Sequence, residues 1–345
     1  MTYTPPIVLE TPGGGAHVTV DLLSDVLTLV RLTGALIFHL DVHGPFGVHA
    51  CPTLDKFESL LPAGTSHVVS FHVVLEGECW IRLEAAEWVP VKAGEAAVIT
   101  RGETHDVADQ PGRATVPLAA ILQKRSVLDL RHAHFDTGAG PTTALLCGFL
   151  GCDCRAFAPL FNALPPLFKV ELGAQHESLV QFAIAETLDD RPGAACLRVR
   201  LAELLFMGAL RAYMQTLPDD ATGWLAGLRD PLVGRALRAL HAQPCRHWSV
   251  DELAAAIASS RSALAERFKA IIGEPPMHYL TRLRILLAAR RLAESRNSIA
   301  SVAGEVGYDS SAAFQRAFKR QFGIPPAAWR RNPAGKDPRQ VVRRH

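Results

Sequence analysis

Ser260-Arg261-Ser262-Ala263-Leu264-Ala265-Glu266-Arg267-Phe268-Lys269 and Ser310-Ser311-Ala312-Ala313-Phe314-Gln315-Arg316-Ala317-Phe318-Lys319 are two versions of one segment, offset by 50 residues. The register continues through Gly273/Gly323, Pro275/Pro325, Pro276/Pro326 and Tyr279/Trp329. Chance does not hold an alignment that long, so the C-terminal third is an internal duplication.

Each copy reads as a short helix, a turn and a second helix. Upstream of the first, Ser249 and Glu252 form a capping box ahead of an apolar stripe at Leu253, Ala254 and Ile257. Ser260 caps a second helix whose stripe, Leu264, Phe268, Ile271 and Ile272, runs until Gly273 stops it. In the second copy Ser298 caps Ile299, Val302, Ala303 and Val306, and Phe314, Phe318 and Phe322 follow before Gly323. The first helices align at an offset of 49 and the second helices at 50, so the Gly307-Tyr308-Asp309 turn is one residue longer.

Charge separates this part from the rest. From Trp224 onward there are 21 Lys and Arg against 9 Asp and Glu, whereas residues 1–223 carry 15 against 25. The whole-chain balance of +2 conceals a basic segment beside an acidic one. A basic helical segment is suited to phosphate, where counterion release drives sequence-independent affinity.

Residues 248–331 resemble the DNA-binding domain of the AraC/XylS family of bacterial transcription regulators. Gly307-Tyr308, the spacing of Phe314 and Phe318, and Phe322-Gly323-Ile324-Pro325-Pro326 carry the likeness. The resemblance implies two helix-turn-helix units joined by one long helix, here His278 to about Ala293, reading adjacent major grooves of promoter DNA, with contact to RNA polymerase. With Leu264 and Phe268 turned inward, Arg261, Ser262, Ala265, Glu266 and Lys269 remain outside. With Phe314 and Phe318 inward, Ser311, Ala312, Gln315, Arg316 and Lys319 remain outside. By the resemblance, Ser262, Ala265 and Glu266, and Ala312, Gln315 and Arg316, hold base-reading positions. Arg316 suits guanine, Gln315 adenine and Glu266 the cytosine amino group.

From residue 18 to about 115 the pattern changes to short apolar alternation broken by turns, as in Phe71-His72-Val73-Val74-Leu75-Glu76-Gly77-Glu78-Cys79-Trp80-Ile81. This spacing predicts a small antiparallel barrel or sandwich. Val91 to His105, with Ala93-Gly94-Glu95 and Arg101-Gly102-Glu103 inside it, resembles the second motif of a cupin, with Thr100-Arg101 where a proline is usual. The expected class is therefore α+β: a cupin-like β-barrel, a helical linker and dimerisation segment, and an all-α double helix-turn-helix domain. The expected divisions are a sensor at 1–170, the linker at 171–223, the DNA-binding domain at 224–333 and a basic, disordered tail at 334–345.

Cupins often hold a metal. His72 shares a strand face with Ser70 and Val74, His105 closes the second motif, and Cys147 ends another apolar run; two imidazoles and a thiolate form a set that zinc accepts. His67, five residues from His72, points to the opposite face of a straight strand. The alternative reading of these residues is core: histidines bonded to backbone and a thiol packed as a small apolar group. Cys51, Cys147, Cys152 and Cys154 are also candidates for a thiol switch, which requires a lowered thiol pKa.

Seven cysteines, no basic leader and no apolar run approaching 18 residues predict a reduced, cytoplasmic, nucleoid-associated protein without a membrane span. Leu197, Leu201, Leu204, Leu205, Gly208 and Leu210 form an apolar stripe that either packs under the barrel or pairs with a second copy as a homodimer. The expected function is a transcription regulator, activator or repressor, controlled by a small-molecule, metal or redox effector in the barrel. The competing reading is a metal-dependent cupin enzyme fused to a DNA-targeting module. The first motif lacks an H-x-H pair, and nucleophile-elbow, zincin and P-loop signatures are absent, so no catalysis is expected.

Overall fold

The computed structural model describes residues 21–24, 31–52, 65, 67–84, 86–122, 131–153, 161, 164–189 and 191–331. The Gly13-Gly14-Gly15 arm, Cys154 and the basic tail lie outside them.

The N-terminal half contains β1 (Arg31–His43), β2 (Gly47–Ala50), β3 (His67–Glu76), β4 (Glu78–Leu83), β5 (Val89–Lys92), β6 (Glu95–Ile99), β7 (His105–Ala108), β8 (Val116–Pro117), α1 (Leu118–Leu122), β9 (His132–Asp136), β10 (Thr142–Asp153) and β11 (Leu167–Glu171). These form two sheets, one ordered β11-β6-β3-β10-β1-β9 and the other β5-β4-β7-β2-β8. Among the described residues the expected barrel is thus not closed by hydrogen bonds, and the two sheets remain separate. Nor is it wholly antiparallel, because β1 pairs with β9, and β2 with β8, in parallel. Alternation reveals which residues point into a core but not how strands partner at the sheet edges.

Sharp corners carry the chain between sheets. Gly77, between β3 of one sheet and β4 of the other, has φ +76, and a β-carbon there would lie 2.6 Å from the Thr142 carbonyl oxygen. Only glycine fits both the backbone conformation and the space. The inner faces then meet: Val42, Val74, Ala97, Ile99 and Leu145 of the larger sheet pack with Cys79, Ile81, Val91 and Val107 of the smaller.

The outer face of the six-stranded sheet is also apolar, and helices cover it. After α2 (Glu177–Leu188), the Arg191-Pro192-Gly193 breaker leads into α3 (Ala194–Thr216). Leu201, Leu205, Phe206 and Ala209 of α3 join Ile37, Phe71, Val73, Leu146 and Phe168 of the sheet in one core. The apolar stripe of this helix therefore splits. Leu201, Leu205 and Leu210 are buried, whereas Leu197 and Leu204 are 43 % and 46 % exposed.

The C-terminal part is helical: α4 (Trp224–Arg229), α5 (Pro231–Ala242), α6 (Val250–Ala256), α7 (Arg261–Ile272), α8 (Pro276–Glu294), α9 (Ile299–Glu305), α10 (Ser311–Phe322) and α11 (Pro326–Arg331). The capping box at Ser249 and Glu252 is formed, and Ser260, Ser298 and Ser310 each accept a backbone N–H at the start of their helices. Gly273 and Gly323 end α7 and α10 in the left-handed conformation. The connecting helix begins two residues before the expected His278, because Pro276 occupies its first turn, where a missing N–H costs nothing.

Duplication extends to the packing. Phe268 and Tyr279 meet edge to face at 5.7 Å and 74° in the first unit, and Phe318 and Trp329 do so at 5.8 Å and 77° in the second. The helix α8 packs against both units.

Candidate nucleic-acid interface and interior cavity

The second helix of each unit presents one face to its core and the other to solvent. Leu264 and Phe268 of α7, and Phe314 and Phe318 of α10, are fully buried. Arg261, Ser262, Glu266 and Lys269 are exposed and Ala265 is half-buried, all on the outer side of α7. On α10, Ala312, Gln315, Arg316 and Lys319 are exposed and Ser311 is half-buried. Arg261 is held by Asp251 at 2.9 Å, which directs its guanidinium back toward α6. Gln315 donates to Ser311 Oγ at 3.4 Å. Among the described residues no carboxylate pairs with Arg316 or Lys319, so both project their full charge into solvent.

The two units are joined by more than the connecting helix. Arg284 of α8 donates from Nε to the Pro244 carbonyl at 2.7 Å, from Nη2 to that of Arg246 at 2.7 Å and from Nη1 to that of Gly307 at 3.0 Å. One guanidinium thereby ties the loop ahead of the first unit to the turn of the second. The sequence offers no signal for this, since Arg284 reads as one more surface cation on a basic helix. Beneath it, Trp224 donates to the Tyr279 hydroxyl at 3.0 Å, and that hydroxyl lies 2.7 Å from His241 Nε2. Burial pushes His241 down to about 4, so the imidazole is neutral and accepts the tyrosine proton.

A cavity of about 460 Å³ opens between the two sheets. Phe38, Leu40, Val42, Val107, Leu145 and Phe149 line it, with His72 and Cys147 on its wall. The sequence-predicted trio of His72, His105 and Cys147 is brought together here, but as a chain. His72 Nδ1 lies 3.0 Å from Cys147 Sγ, His72 Nε2 lies 3.0 Å from His105 Nε2, and His105 Nδ1 lies 2.9 Å from the Glu103 carbonyl oxygen. One proton assignment satisfies every link. His105 donates to Glu103, His72 donates to His105, and the thiol donates to His72. Burial keeps both imidazoles from protonating, and for His72 the neighbouring His105 adds to the effect.

This geometry does not fit zinc. With one donor atom from each residue, the three do not gather within 4.8 Å of one another, although another trio among the described residues does. His72 spends a ring nitrogen on each neighbour and cannot offer both to one ion. Burial also pushes the Cys147 thiol far above its usual range and Cys79 up to about 12, the reverse of what a reactive thiolate requires. Closeness in sequence did not become closeness in space: Cys147 faces the inter-sheet core and Cys152 faces the helices. Cys51 is half-buried near the Thr104 hydroxyl, at 3.5 Å. His67 lies on the face opposite His72, as a straight strand requires, and contacts the Thr100 carbonyl.

Comparison with known proteins agrees with this layout. Residues 21–215 match the cupin family and residues 253–332 match a helix-turn-helix domain family. A protein of Streptomyces lividans named as an AraC-like transcription regulator is 35 % identical over 318 residues, covering 91 % of this chain and 99 % of its own. The transcriptional regulator AlkR of Acinetobacter baylyi is 29 % identical, covering 75 % of this chain and 86 % of its own. Among solved structures, the DNA-binding domain of the transcriptional factor AdpA, in complex with a target DNA, is 36 % identical and covers 31 % of this chain and 99 % of its own, with a TM-score of 0.28. The chain belongs to the AraC-type transcription regulators, with a cupin segment ahead of the helix-turn-helix pair. It is a DNA-binding regulator in which no described helix is long and apolar enough to cross a membrane.

Proposed function

We propose that this regulator is governed by a small, uncharged, apolar molecule held between the two sheets. The observation that carries the reading is the cavity itself. Its wall is hydrocarbon, and its buried polar groups, Cys147 and His72, are already satisfied within a neutral chain that ends on a backbone carbonyl. The charged side chain on the lining, Arg113, is already held by Asp109 at 2.6 Å, so a charged ligand would lose its hydration and have to displace that carboxylate, whereas an apolar one gains from leaving water.

On the DNA side, α7 and α10 are the reading helices. The 19 residues of α8 make a rod of about 28 Å, close to the roughly 34 Å between successive major grooves on one face of the duplex. Ser262, Ala265, Glu266, Ala312, Gln315 and Arg316 face the bases, and Arg261, Lys269, Ser311 and Lys319 face the phosphates. Residues 1–170 act as the sensor, 171–223 as the link and 224–333 as the DNA-binding unit. Two copies meet through Phe182, Leu188, Leu197 and Leu204, which are 43 % to 61 % exposed along α2 and α3. These same helices cover the outer face of the ligand-holding sheet, so occupancy of the cavity would bias how the two DNA-binding units are spaced.

The test uses the full chain and the neutral apolar dye N-phenylnaphthylamine. We expect dye fluorescence to rise and saturate at one molecule per chain, and Leu40→Trp, which fills the cavity, to remove the signal while leaving retention of genomic DNA fragments intact. Undiminished dye binding in Leu40→Trp would sink the assignment.

A further inference from the structure

A second set of ligating side chains lies on the other face of the same sheet. The strand β1 carries His39, Asp41 and His43 at alternate positions, and β9 carries His132, His134 and Asp136 in the same rhythm. The parallel pairing sets His39 beside His132, Asp41 beside His134 and His43 beside Asp136. Alternation sends all six to one side, opposite Phe38, Leu40 and Val42, which line the cavity.

From this ladder we propose a divalent transition-metal site, of the kind zinc occupies, formed by His39, Asp41 and His132. Among the described residues this is the one trio of histidine, cysteine or acidic side chains whose donor atoms, one from each, all lie within 4.8 Å of one another. His39 Nδ1 is 2.9 Å from His132 Nδ1, and His39 Nε2 is 3.5 Å from Asp41 Oδ1. These two contacts use opposite ring nitrogens of His39, and an ion takes only one of them. With one donor atom from each residue the three lie within 4.8 Å of one another, and because tetrahedral bonds of about 2.0–2.1 Å place donors about 3.3 Å apart, the side chains draw in by about an ångström to admit an ion.

The chemistry of the set favours a borderline cation over calcium or magnesium, which call for oxygen cages. A carboxylate offsets part of the ion's charge, and a fourth position stays open to water or to His134 on the next rung. His39 and Asp41 are largely enclosed, with side chains 12 % and 27 % exposed, whereas His132 is exposed and gives the ion a way in. An ion here would clip the edge strand β9 to β1.

The test is equilibrium binding of cobalt(II) and zinc(II) to the full chain made without a polyhistidine tag. We expect one ion per chain, visible-region cobalt absorption of tetrahedral type, and displacement by zinc. His132→Ala removes an exposed ligand without disturbing a core, and it should weaken binding at least about tenfold, as should Asp41→Asn. Cys147→Ala, in the inter-sheet chain, should leave the affinity unchanged. Absence of any bound ion, equal affinity in His132→Ala, or loss of metal in Cys147→Ala alone would each overturn the site. Dye binding in the cavity is read separately and stands or falls independently.

Discussion

Ala258 and Gly307 hold the same place in the two helix-turn-helix units, two residues beyond the ends of α6 and α9, and both are left-handed, with φ of 53° and 84°. Duplication reproduced the conformation but not the residue. Ala258 carries a β-carbon that this conformation penalises by roughly 1–2 kcal/mol. At Gly307 a β-carbon would lie 2.7 Å from the Cys245 carbonyl oxygen and 2.9 Å from its α-carbon.

Opposite outcomes are therefore expected from exchanging the two. Ala258→Gly should stabilise the helical part by up to about 1 kcal/mol, the relief of strain exceeding the added freedom of the unfolded chain. Gly307→Ala should destabilise it by more than that, because backbone must move. Urea unfolding of both variants checks the pair; stabilisation by Gly307→Ala would contradict the geometry.

Arg284 sits beside that turn. Its three donors satisfy three carbonyls from two units, and hydrogen bonds from a charged group contribute about 1.5–3 kcal/mol each before allowance for water replacing the lost donor. Arg284→Ala should cost about 2 kcal/mol or more and lower affinity for DNA fragments, because the units lose a shared strap. Arg284→Lys should recover only part, since an ammonium cannot span three diverging carbonyls. Full recovery by lysine would show that charge alone matters there.

The pH dependence follows from His241. Its folded value of about 4 lies below the ordinary 6.5 of an unfolded histidine, so between these values the unfolded chain binds the extra proton. Stability from this group is fully present above about pH 6.5 and is lost as pH falls toward 4, by about 3 kcal/mol in all. The buried Trp224, bonded to the same tyrosine hydroxyl, reports the transition by fluorescence. In His241→Gln the acid-side slope should shrink; an unchanged slope would remove His241 as its source.

On the DNA, Arg316→Ala should cost on the order of 1–3 kcal/mol and relax the preference at one base position, whereas Lys319→Ala should weaken every sequence alike and flatten the salt dependence. Competition between specific and random duplexes separates the two. Equal losses on both for Arg316→Ala would reassign it to phosphate.

The helical third was legible because its determinants are local. Caps at Ser249, Ser260, Ser298 and Ser310, stops at Gly273 and Gly323, and stripes at helical spacing each act within a turn of chain, and repetition removed the remaining ambiguity. In the N-terminal half, alternation placed His72 and His67 on opposite faces of one strand, where they lie. It could not show that β1 and β9 run parallel, which is what brings His39 to His132, although His39-x-Asp41 and His132-x-His134 are plain in the sequence.

Sequence alone settled that this chain contains a duplicated helical reader behind a β-rich segment, because periodicity, capping and charge are properties of neighbouring residues. Only the tertiary structure decided that the sheets stay unclosed, that His72 links a thiol to a second imidazole instead of joining a metal shell, and that Arg284 straps two units together. Those outcomes depend on distances between residues far apart in the chain, set by strand partnering and by which groups water can no longer reach.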